Sequence, residues 1–93
     1  MIKSFKCKET EKIFNYKFSK KLPQNIQRAA LKKLIMIKKS ASINDLKIPP
    51  SNHLEILEGD RTGMYSVRIN KQWRICFEWR DRDAYRVEIT DYH

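Results

Sequence analysis

The second half of the chain alternates between apolar and polar positions. Tyr65, Val67 and Ile69 are interleaved with Ser66, Arg68 and Asn70. Trp73, Ile75, Phe77 and Trp79 are interleaved with Arg74, Cys76, Glu78 and Arg80, and Tyr85, Val87 and Ile89 with Arg86, Glu88 and Thr90. A period of two with one apolar face predicts an antiparallel sheet packed on one side. Asn70-Lys71-Gln72 and Asp81-Arg82-Asp83 read as hairpin bends, and residues 54–57 as the start of the sheet.

The first half repeats at helical spacing instead. Thr10 is placed to cap a short helix reaching about Phe18, along which Ile13, Phe14, Lys17 and Phe18 recur. Pro23 suits the first turn of a second helix that ends near Lys39 or Ser40. Ile26, Ala30, Leu34 and Ile37 line one stripe of it, widened by Leu31 and Ile35, while Arg28, Lys32 and Lys39 fall opposite. Residues 40–53, with Pro49-Pro50, read as a connecting loop, and Ile2 to Phe5 as an opening strand. The expected fold is α+β: an N-terminal strand and two helices on one face of a mainly antiparallel sheet.

With 93 residues the chain forms one domain, 1–93, with room for a surface groove rather than a deep cavity. No uncharged run is long enough to span a membrane, and the opening residues lack the apolar core of a secretory signal. Cys7 and Cys76 fit neither a CxxC pair nor a zinc spacing, so two free thiols in a reducing cytoplasm are expected. His53 and His93 are the two histidines, with no third ligand placed to build a metal site. His53 reads as a loop residue. There is no glycine-rich phosphate loop.

Charge changes the picture. Residues 1–50 carry 13 basic and 3 acidic side chains, and residues 51–93 carry 7 and 8, within a net charge of +9. The first half uses lysine apart from Arg28, and the second uses arginine apart from Lys71. Lysine is a mobile point charge, whereas arginine is a planar fork that holds a phosphate in fixed geometry. A nucleic-acid or acidic-protein partner follows. Arg68, Arg74, Arg80 and Arg86 share the polar side of the strands with Glu78 and Glu88. That side is either a solvated face laced with weak salt bridges or a phosphate-binding one. Arg80 and Arg86 fit the first reading. Arg68 and Arg74 fit the second, because they flank the Asn70-Lys71-Gln72 bend. The last residues, Asp91-Tyr92-His93, are either a structural terminus or a source of one carboxylate, one phenol and one imidazole, the last titrating near neutrality as a proton carrier must.

Residues 52–77 carry Gly59-Asp60-Arg61-Thr62-Gly63 and Gln72-Trp73-Arg74-Ile75, and the chain closes on Asp91-Tyr92-His93. In this order the segments, with the opening Met1 to Phe5, resemble the HigB-like toxins of the RelE superfamily. The resemblance covers nearly the whole chain. It implies a toxin of a bacterial type II toxin–antitoxin pair, restrained by a HigA-like antitoxin. It implies metal-independent, cofactor-free cleavage of translated mRNA on the ribosome, which stops translation and growth. The 2′-hydroxyl would attack the adjacent phosphorus and leave a cyclic phosphate. Arg74 would then stabilise the phosphorane, and Asp91, Tyr92 and His93 would form the terminal cluster, with His93 as acid–base group. Arg68, Asn70 and Lys71 would hold RNA near the cut, and Lys32 and Lys39 ribosomal RNA. The sequence departs from some relatives at Glu55 and Glu58, where those place a histidine and a lysine. Two other classes stay open: a non-enzymatic toxin of the same fold that inhibits DNA gyrase, and a basic nucleic-acid-binding module.

Overall fold

The helical and alternating halves become two packed layers. The computed structural model describes residues 1–57 and 63–91. Helices α1 (Lys8–Phe14) and α2 (Gln24–Lys39) precede strands β1 (Glu55–Leu57), β2 (Met64–Arg68), β3 (Trp73–Arg80) and β4 (Asp83–Asp91). The strands lie in the order β1-β2-β3-β4 and every neighbouring pair is antiparallel. Both helices pack on one face of this sheet, as the alternation requires. Ile26, Ala30, Leu34 and Ile37 of α2 are buried against Val67, Ile75, Phe77, Val87 and Ile89 of the sheet. Each buried aliphatic or aromatic side chain contributes about 1.5–3 kcal/mol, so this seam holds the layers together.

The structure differs from the sequence expectations in five respects. Thr10 lies inside α1 rather than capping it; the N-cap position is Cys7. The Thr10 hydroxyl is buried and accepts a 2.9 Å hydrogen bond from the Ile89 backbone N–H, tying α1 to β4. Helix α1 also stops at Phe14 instead of reaching Phe18. Tyr16, at φ 65°, donates its N–H to the Ile13 carbonyl (3.0 Å), and Lys17 donates to the Lys12 carbonyl (2.8 Å), a Schellman ending.

Ile2 to Phe5 contributes two isolated parallel bridges, to Ala84 and Val87, rather than a full strand. Residues 40–53 are more ordered than a loop. They contain 3₁₀ turns at Ile43–Lys47 and Pro50–Asn52, which bury Leu46 and Asn52. Finally, a bulge interrupts β4. Cys76 pairs with Glu88, but Glu78 pairs with Tyr85, so β4 holds one extra residue, and Arg86 there has φ 54°. Side-chain direction flips across the bulge. Ala84, not Tyr85, enters the core, and the Arg80 guanidinium stacks over the Tyr85 ring at 4.1 Å.

Candidate functional site

The hairpin of β2 and β3 sets the site. Val67 pairs with Ile75 and both point into the core, so their neighbours Arg68 and Arg74 point to the outer face as a directly opposed pair. Like charges opposite each other on one face are destabilising unless something neutralises them. The next row inward joins Glu55 of β1, Ser66 of β2, Cys76 of β3 and Glu88 of β4. Thr90 of β4 stands opposite Arg74.

Arg74 is not a solvated surface arginine, in contrast to Arg80 and Arg86 on the polar side of their strands. It is only 7% exposed. Its Nε donates to Ser66 Oγ at 2.9 Å, and one terminal nitrogen donates to the Ser66 carbonyl at 3.3 Å and to the His53 carbonyl. The other terminal nitrogen lies 3.6 Å from the Glu55 carboxylate, whose side chain is half exposed. The fork is therefore gripped on its inner edges while a carboxylate guards the outer one. The Thr90 hydroxyl oxygen is buried beside this group and has no hydrogen-bond partner. Arg68 donates from Nε to the Asn70 carbonyl at 3.0 Å, which steadies it beside Arg74.

The support behind His53 is built by Asn52, which is fully buried. Its amide nitrogen donates to the Leu46 and Ile48 carbonyls at 3.2 and 3.4 Å, and its oxygen accepts from the Lys33 ammonium on α2. Burial lowers the pKa of Lys33, and neighbouring Lys32 adds to the effect. The helix layer, the Pro50–Asn52 turn and Arg74 thus form one chain of contacts. Arg80 and Arg86 behave as the sequence suggested for a solvated face: Arg80 is exposed and pairs with Glu78 at 3.0 Å.

The other proposed site residues are distributed as follows. Lys71 is exposed in the bend beside Arg68 and Arg74. Asn70 spends its side-chain oxygen on the backbone N–H groups of Gln72 and Trp73, both 2.8 Å away, so it shapes the bend. Asp91 pairs in register with Trp73, one step from the Arg74–Thr90 pair and on the alternate face, and accepts from Gln72 Nε2 at 3.1 Å. Lys32 and Lys39 are exposed on α2, away from the sheet and so on the opposite layer from the arginines. Tyr92 and His93 lie outside the described residues, as do Gly59, Asp60, Arg61 and Glu58. Among the described residues no cluster of three or more His, Cys, Asp or Glu side chains could hold a metal ion. No described helix is long and apolar enough to cross a membrane.

Sequence reasoning overlooked Ser66, Asn52 and the His53 carbonyl, and treated Glu55 as a departure only. Ser66 had a signal, a small hydroxyl on the polar side of a strand whose apolar side is set by Tyr65 and Val67. The others had none, because their value comes from a loop that folds over Arg74.

The chain matches, over residues 3–93, the model of the RelE-like toxin of type II toxin–antitoxin systems, HigB. It belongs to that family of toxins. It is 38% identical over 93 residues to Toxin HigB-1 of Vibrio cholerae, covering 99% of this chain and 98% of that one. It is 34% identical over 94 residues to Endoribonuclease HigB of Proteus vulgaris, covering both completely. The fold is shared with a YoeB–YefM complex from Staphylococcus aureus, at TM-score 0.55 and 21% identity over the whole of this chain and 98% of that one. It is shared also with YafQ from Escherichia coli, at TM-score 0.54 and 14% identity over 94% and 89% of the two chains.

Proposed function

We propose that this toxin is a metal-independent endoribonuclease of the cytoplasm that cuts translated mRNA on the ribosome and is restrained by a HigA-like antitoxin. The observation that carries the reading is the opposed Arg68–Arg74 pair, two guanidiniums on one face with Arg74 gripped from behind. A phosphodiester would bring its negative charge to this cationic pair, beside the Glu55 carboxylate that lies 3.6 Å from Arg74. The Proteus relative's name, an endoribonuclease, supports the same class of reaction.

The 2′-oxygen attacks phosphorus, the bond to the 5′-oxygen breaks, and a 2′,3′-cyclic phosphate and a free 5′-hydroxyl remain. The proton of the 2′-hydroxyl passes to a carboxylate, and Glu55 is the one beside Arg74. His93, as imidazolium, donates to the leaving 5′-oxygen, with Asp91 and Tyr92 in the same terminal cluster. Arg74 balances the charge that grows on the phosphorane. Such positioned charge is the main resource of a phosphoryl-transfer site without a metal. Arg68, Asn70 and Lys71 hold the RNA on either side, and Lys32 and Lys39 meet ribosomal RNA without reading sequence.

Mapping transcript 5′ ends after brief induction tests this. New ends should arise inside translated regions with the native chain and vanish with His93→Gln. Glu55→Gln should reduce them by about 100-fold, the scale of a lost general base. Growth arrest with intact transcripts sinks the proposal, and if DNA supercoiling also fails the gyrase reading takes its place.

A further inference from the structure

The connection between α1 and α2 carries an apolar groove that the arginine site does not use. It has a volume of about 270 Å³, with Ile13 and Leu31 as floor, Tyr16 and Phe18 as walls, and Lys17 and Arg28 on the rim. Tyr16 is 77% exposed and Phe18 59% exposed, two large aromatic side chains left to solvent in one short segment. Tyr16 also occupies the left-handed C′ position of a Schellman ending, where glycine or asparagine is the sterically easy choice. Neither folding nor solubility asks for an exposed tyrosine there.

The groove is held in shape. Ser19, next to Phe18 in the chain, is fully buried and donates from Oγ to Glu9 at 2.6 Å. Its backbone exchanges bonds with the Gln27 amide at 3.1 and 2.8 Å, and Gln27 donates also to the Leu22 carbonyl at 3.0 Å. A preformed surface loses little order on binding, which favours a tight complex. Its charge is one-sided. Residues 8–28 hold six basic and two acidic side chains, and the Glu9 charge is already engaged by Ser19 and by Lys12 at 3.3 Å.

We propose that this groove is the anchor for an acidic, amphipathic segment of the antitoxin, with one or two apolar side chains between the Tyr16 and Phe18 rings and carboxylates toward Lys17 and Arg28. The inference rests on the chain being a toxin with an antitoxin partner. An aliphatic floor favours protein over RNA, since a phosphate backbone has nothing to bury against Ile13 and Leu31. The groove lies on the helix layer, across the sheet from Arg68 and Arg74. Anchoring here leaves the arginine face chemically untouched, so capture and cleavage depend on different residues.

Calorimetric titration of the full chain with the antitoxin encoded beside it tests the proposal, using Phe18→Asp and Tyr16→Asn. Both are exposed positions, and asparagine suits the left-handed backbone of the second, so folding is preserved. Each should weaken the complex by about 30-fold or more, the scale of a buried aromatic anchor. Transcript cleavage should stay at the native level, while Arg74→Ala should lose cleavage and keep antitoxin affinity. Affinity within threefold of native for both groove variants overturns the inference, as does the absence of any complex with the native chain. If instead these variants lose salt-sensitive affinity for ribosomal RNA and keep the antitoxin, the surface belongs to RNA. A native chain that binds antitoxin but cuts nothing refutes the proposed enzyme and leaves the groove standing.

Discussion

Arg74 on the sheet and Lys32 and Lys39 on α2 are all cationic, yet they are held in opposite ways. Arg74 is buried, with bonds to Ser66 and the His53 carbonyl and a carboxylate 3.6 Å away. The two lysines are exposed on the far layer. A desolvated, oriented guanidinium acts at one point and at full strength, whereas exposed ammonium groups act as a screened, general field. The pairing of arginine with the sheet and lysine with the helices therefore separates an enclosed, oriented charge from mobile, solvated ones. The helix layer adds one exception, the rigid groove at Tyr16 and Phe18.

Four substitutions sharpen this contrast, the largest effect first. Arg74→Lys keeps the charge but loses the fork. Cleavage in a transcript assay should fall about 100-fold, the scale of one lost oriented donor, and near-native cleavage would show that charge alone suffices. Asn52→Ala removes the partner of two carbonyls and of the Lys33 ammonium in a fully buried place. Urea unfolding should show a loss of about 2–3 kcal/mol, and a change below about 0.5 kcal/mol would mean the turn stands without it.

Tyr16→Gly should do the reverse and stabilise the fold by about 0.5–1 kcal/mol, because relief of the left-handed strain outweighs the extra freedom glycine gains in the unfolded chain. A loss of stability would mean that the tyrosine ring itself supports the fold. The smallest effect is at Glu9. The hydrogen bond from Ser19 lowers its pKa, burial opposes this, and Lys12 adds to the lowering. A lowered carboxyl stabilises the fold fully above its unfolded pKa and loses that contribution as pH falls through the folded value. The difference in melting temperature between the native chain and Glu9→Gln should close on acidification, and a gap that persists in acid would refute the clamp.

Part of the candidate site's geometry was legible. Alternation across residues 65–70 and 73–80 fixed which side chains face out, and the short bend between them brought Arg68 opposite Arg74. The grip on Arg74 was not legible. Ser66 lies on a neighbouring strand, Glu55 on the next, and the His53 carbonyl in a turn that no periodicity describes. The bulge in β4 was equally silent, because Tyr85 and Ala84 are both plausible in a core and one extra residue decides between them.

By itself the amino-acid order determined the local elements and their apolar faces: the stripe of α2, the outward arginines of the hairpin, and the split of lysine from arginine. These follow from repeat lengths of 3.6 and 2 residues and need only near neighbours. Tertiary structure alone decided that Thr10 serves β4, that Asn52 joins α2 to the site, and that Arg74 is enclosed. A buried polar group must find its partner wherever the packed layers leave one, and that address is a property of the assembled fold.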